Sequence, residues 1–158
     1  MLARFNVRLG DALSFVYAVI AVLTVFEVCA RYIFHSPTQW TVEVVLFLGA
    51  LHYMLSGAQA YALGDHIRIT VLYDRLPKRV QYYLTLFERV VVAAVCAATG
   101  YWAVHQAQAA LAVMERSGSN LNLPIPVVLK IVLVVALALF GLQAVVYFIR
   151  DLRNRNGA

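Results

Sequence analysis

Residues 44–68, "VVLFLGALHYMLSGAQAYALGDHIR", run twenty positions without a charged residue before Gly64 hands over to Asp65, His66 and Arg68. Twenty mostly apolar residues at about 1.5 Å each reach about 30 Å, the thickness of a bilayer's hydrocarbon core. The stretch predicts a membrane-spanning helix that stops at the glycine. Composition agrees along the rest of the chain. Of 158 residues, 63% are hydrophobic and 13% charged, and the mean hydropathy is +0.76. An average soluble domain is roughly 45–50% apolar and about 25% charged, so an ordinary soluble domain is excluded.

Two further uncharged runs, Val90–Met114 and Ile131–Ile149, are long enough to cross a bilayer. The first apolar run, Ala12–Phe26, meets Glu27 and reaches full length only by continuing toward Phe34. Glu27 and Arg31 then lie four residues apart with the acid first, the favourable order for a helical ion pair. The expected fold is an all-α integral membrane protein of four transmembrane helices, over about 12–34, 41–63, 84–112 and 126–149, forming one domain. Arg4 and Arg8 ahead of an apolar run, with Val28-Cys29-Ala30 behind it, also fit a cleaved signal peptide. Asp11 and Glu27 argue for a retained span instead.

Lysine and arginine concentrate in cytoplasmic loops. Arg4 and Arg8 precede the first span; Arg68, Arg75, Lys78 and Arg79 separate the second and third; Arg150, Arg153 and Arg155 follow the fourth. The other connections carry only Arg31, Arg116 and, just inside the last span, Lys130. Both termini are therefore expected in the cytoplasm. The net charge of +5 reads as topology and contact with anionic lipid, not as a nucleic-acid surface, for which no motif is present. Cys29 and Cys96 stand in no metal or redox spacing and read as small buried hydrophobes.

Between spans two and three, Ile69, Leu72, Tyr73 and Leu76 recur at helical spacing, with Arg68, Thr70, Asp74 and Arg75 mostly opposite. This predicts a short amphipathic helix lying on the membrane surface, capped by Asp65 and stopped by Pro77. A short extended segment is the alternative, since His66 to Thr70 also alternates. His66 beside Arg68 makes a poor metal site, because a cation next to the ligand opposes metal binding. At the opposite ends of the spans, Glu27, Arg31, Glu43 and Lys130 are candidates for one polar cluster, paired within or between subunits, lining a path or snorkelling. His52 and His105 leave a haem reading open. The third apolar run, Tyr82 to Met114, is too long for an upright crossing. It offers small residues at four-residue spacing, Ala93 with Ala97 and Ala94 with Ala98, where another helix could approach. No glycine-rich phosphate loop, no nucleophile with a base and no pair of broken helices is present.

Three segments in order, "RYIFHSPTQWTVE" (31–43), "GDHIRITVLYDRLP" (64–77) and "LNLPIP" (121–126), together resemble the small membrane subunit, DctQ type, of tripartite ATP-independent periplasmic (TRAP) transporters. The resemblance runs from about Val19 to Leu152. It implies a non-catalytic scaffold without a cofactor, in the bacterial inner membrane. Its implied partners are a large multispan subunit and a periplasmic substrate-binding protein, besides membrane lipids. The large subunit would bind sodium and carry organic acids inward by an elevator motion. The resemblance assigns His66, Ile67 and Arg68 to a contact with the large subunit or lipid headgroups; Arg75, in the same connection, is a further candidate for that interface. It assigns Arg31, Tyr32, Trp40 and Glu43 to the outer hairpin, beside Glu27 and Lys130 of the polar cluster read from the residues themselves. Thr70 departs from it, standing where an acidic residue is expected to be common. Two other classes stay open: a haem or quinone anchor of an oxidoreductase, and a small homodimeric exporter with Glu27 or Glu43 as proton carrier.

Overall fold

The computed structural model describes residues 2–63, 73, 75–119 and 122–155. The described residues form four helices, α1 (Leu2–Tyr32), α2 (Gln39–Leu63), α3 (Lys78–Ala112) and α4 (Ile125–Arg155), with no strand among them. All four are long and apolar enough to cross a membrane. Helix α1 begins about ten residues before the expected span, at Leu2, because nothing between Arg4 and Asp11 breaks a helix. The expected surface segment lies mostly outside the described residues, including Gly64, Asp65, Ile69, Thr70, Leu72 and Asp74.

Local chemistry sets the ends. After α1, His35 takes a left-handed φ of 50°, and Pro37 and Thr38 lead into α2. After α3, Met114 takes φ of 46°, with its N–H on the Leu111 carbonyl at 3.2 Å and that of Glu115 on the Ala110 carbonyl at 3.0 Å. That pair of bonds is a Schellman closure, in which a methionine occupies the position glycine usually fills. Pro77 opens α3, its carbonyl accepting from Val80 at 2.8 Å. Its missing N–H is harmless there, where no intrahelical partner exists.

The helices pack in the order α1, α2, α4, α3, with the α3–α4 and α1–α2 seams most extensive, α2–α4 joining the two pairs and α1 touching α4 only marginally. Among the described residues α1 and α3 make no substantial contact, so the row stays open instead of closing into a four-cornered bundle. Seven of the ten buried hydrophobics among the described residues are alanines; small residues let backbones approach where lipid removes any hydrophobic drive between helices. The α3 seam uses Cys96, Ala103, Ala107 and Ala110, and Gly141 of α4 sits so close that an added Cβ would lie 3.1 Å from the Cys96 Cβ. The alanines singled out by spacing are not in this seam: Ala94, Ala97 and Ala98 are exposed and Ala93 is half-buried.

Candidate functional site

The polar side chains gather at the two ends of the row. At the turn end, where α1 meets α2 and α3 meets α4, Glu27 is 8% exposed. Its carboxylate takes a bond from Arg31 Nη2 at 2.7 Å, one from the Thr38 N–H at 3.2 Å and one from the Thr38 hydroxyl. Thr38 and the buried Thr41 share a further hydroxyl contact at 2.5 Å. The acid thus staples the α1–α2 turn to the last turn of α1. Trp40 packs on Phe26 with ring centroids 6.2 Å apart, while Tyr32 stays exposed. Glu43 reaches the other turn and accepts from the Ser119 hydroxyl at 2.6 Å. Lys130 pairs with Glu115 across the same turn.

The four residues expected in one cluster are therefore divided. Glu27 and Arg31 pair with each other, Glu43 turns to a serine and Lys130 to Glu115, an acid the sequence pattern did not nominate. A groove of about 160 Å³ opens between α1 and α2 just below this end, lined by Thr24, Glu27 and Val28 on one side and Val42, Val45 and Leu46 on the other.

At mid-depth the buried His52 places Nδ1 3.0 Å from the Leu13 carbonyl of α1, and its ring lies 4.2 Å from that of Tyr17. A carbonyl only accepts, so Nδ1 carries the hydrogen. His105 is exposed on α3 and packs on Tyr101. Since α2 and α3 have no substantial contact among the described residues, the two histidines do not face one another, and the axial pair a haem would need is not formed. No group of three metal-binding side chains occurs among the described residues.

The terminal end holds a junction that sequence reasoning missed. Arg89 of α3 donates to Asp151 of α4 at 2.6 Å and to the Tyr61 hydroxyl of α2 at 3.2 Å, and its guanidinium lies 4.9 Å from the Tyr147 ring centroid. Tyr147 in turn donates to the Ala62 carbonyl at 3.1 Å. Three helices are tied at one cation, which charge pairing and two aromatic faces hold in place. Along the sequence Arg89 only precedes the uncharged run Val90–Met114, inside the expected third span, and carries no assigned role there. On the other side of the row, Gln59 donates to Asp11 at 3.1 Å, and the fully buried Asn6 donates to Gln143 at 3.3 Å. Near the connection into α3, Gln81 donates to the carbonyls of Tyr73 and Leu76 at 3.0 and 2.9 Å. Arg75 is exposed beside them; His66, Ile67 and Arg68 lie outside the described residues.

The family model described as tripartite ATP-independent periplasmic transporters, DctQ component, matches residues 20–154. No curated protein matches the chain.

Proposed function

The chain belongs to the DctQ component family of tripartite ATP-independent periplasmic transporters, and from that premise we propose that it is the small scaffold subunit of a sodium-coupled importer of organic acids. It works beside a large membrane subunit that binds the sodium and moves the solute, and a periplasmic binding protein that delivers it. It does no catalysis and needs no cofactor. The arginines and lysines at the terminal end favour an inner-membrane orientation with both termini in the cytoplasm.

The observation that carries this reading is the engagement of the ionisable groups within the spans. Glu27 is held by Arg31 and Thr38, Arg89 by Asp151, Lys130 by Glu115 and Glu43 by Ser119. Side chains committed to joining helices stiffen a frame. A carrier has to release and rebind charge along a path. A proton-carrying exporter is disfavoured on the same ground, since Glu27 would have to give up three donors to take a proton. The exposed apolar residues along α3, among them Phe87, Val95 and Trp102, suit a chain that lies against lipid or a larger membrane partner.

Native mass spectrometry of the tagged chain, extracted gently from its host membrane, tests this. A complex with a much larger multispan protein is expected; a homodimer alone, or a mass increment matching haem, overturns the reading. The segment around His66, Ile67, Arg68 and Arg75 is proposed to anchor the cytoplasmic face to that partner or to headgroups. Arg68→Glu is then expected to lower complex yield or sodium-driven uptake, and normal values of both refute the anchor.

A further inference from the structure

The groove between α1 and α2 is apolar along its length and capped by a cation. On α1 its wall is Thr24, Glu27 and Val28, and Arg31 continues the same i, i+3, i+4, i+7 face toward the membrane surface. On α2 the wall is Val42, Val45 and Leu46. Gly49 continues that face into the bilayer, where an added Cβ would meet nothing within 4 Å. Glu27 does not make the groove acidic, because its carboxylate is turned to Arg31 and Thr38. Arg31 remains 48% exposed in its side chain, and a guanidinium has five donors, of which the contact with Glu27 uses one. Trp40, 40% exposed, and Tyr32, 72% exposed, stand at the same level, where amphipathic rings sit among headgroups.

We propose that this groove holds one acyl chain of a glycerophospholipid from the adjoining leaflet, with the lipid phosphate on Arg31. The amphiphile matches both halves of the site: an apolar slot open sideways to the bilayer, and an exposed cation one turn above it, at phosphate depth. A second copy of the chain fits less well. It would need an acid for Arg31, and the acids at this end, Glu27, Glu43 and Glu115, are already committed to Arg31, Ser119 and Lys130. The inference requires only that the chain spans a membrane and stands apart from the transporter reading.

Photolabelling tests it. The protein, with whatever partners co-purify, is reconstituted into vesicles of phosphatidylethanolamine and phosphatidylglycerol containing a phosphatidylglycerol with a diazirine-bearing tail, and adducts are mapped by peptide. Val28, Val45 and Leu46 are expected to label well above Phe15 and Val22, which are exposed on the opposite face of α1. Val45→Trp, which fills the slot, removes the excess, and Arg31→Gln lowers it by roughly tenfold, the scale of one charge-assisted contact. Equal labelling of Leu46 and Val22 in the wild-type protein overturns the proposal, as does an excess that survives Val45→Trp. Groove residues left unlabelled while Phe15 and Val22 label would mean that protein, not lipid, covers the slot. The wild-type labelling pattern decides even where a variant fails to fold.

Discussion

The α1–α2 pair and the α3–α4 pair are built of the same kind of helix and joined by opposite means. Along α3–α4 the seam is made of small side chains, Cys96, Ala103, Ala107 and Ala110 against a helix carrying Gly141. The backbones close up, and one ion pair, Arg89 with Asp151, ties the terminal end. Along α1–α2 the contacts are discrete polar points: Glu27 with Thr38, His52 with the Leu13 carbonyl, Asp11 with Gln59. Between those points a groove remains, lined by Val28 of α1 and by Val42, Val45 and Leu46 of α2. In lipid, continuous close packing and isolated hydrogen bonds are alternative ways of joining helices. The first gives a dense seam; the second fixes register and leaves room for a ligand between the fixed points.

That contrast has measurable consequences. Cys96 is buried in the α3–α4 seam and Cys29 half-buried on α1, so the temperature at which each reacts with a thiol dye, the other cysteine being replaced by serine, reports its own pair. Arg89→Leu is expected to have the largest effect, about 2–4 kcal/mol, because it strands the Asp151 carboxylate at a partly buried junction. The Cys96 midpoint should fall by many degrees; an unchanged midpoint would mean that small-residue packing alone holds the seam. Ala107→Leu should follow at about 1–3 kcal/mol, the range for overpacking, again read at Cys96. If it were tolerated like a surface change, the seam would be looser than its geometry indicates. His52→Phe keeps a ring against Tyr17 and removes the bond to Leu13, an expected loss of about 0.6–1.7 kcal/mol seen at Cys29 and not at Cys96. Equal shifts at both reporters would show the two pairs unfolding as one unit.

The smallest effect belongs to Gly10→Ala. The new Cβ would overlap the Gln59 carboxamide, 1.6 Å from its Oε1, and displace it from Asp11. A helical alanine in place of glycine returns about 1 kcal/mol, so the net change at Cys29 should stay within about 1 kcal/mol of zero. A large loss there would show that the Gln59–Asp11 contact carries more of the α1–α2 pairing than either of its neighbours.

Much of the fold was legible in the sequence, because a span requires about twenty apolar residues and leaves its length in the pattern. The ion pair of Glu27 with Arg31 was legible for a similar reason: four residues on one helix are neighbours whatever the tertiary fold. Glu43 and Lys130 were legible as polar residues near one surface, but not as partners of Ser119 and Glu115, which are set by how the α3–α4 turn folds over α2. Arg89 was not legible for the same reason. Read along the chain it marks the edge of an apolar run, and its partners stand 62 and 28 positions away, on α4 and α2.

The sequence by itself determined that the chain has four membrane-length helices, through uncharged runs and the polar residues that punctuate them. Only the tertiary structure decided that they stand in the open order α1, α2, α4, α3, that Cys96, Ala103, Ala107 and Ala110 form the seam while Ala94, Ala97 and Ala98 face outward, and that His52 turns away from His105. In water a hydrophobic stripe would have announced the packing face, because apolar groups go inward. In lipid every face of a span is apolar. What selects the packing face is the fit of small residues and scattered hydrogen bonds against a neighbour that only the folded chain provides.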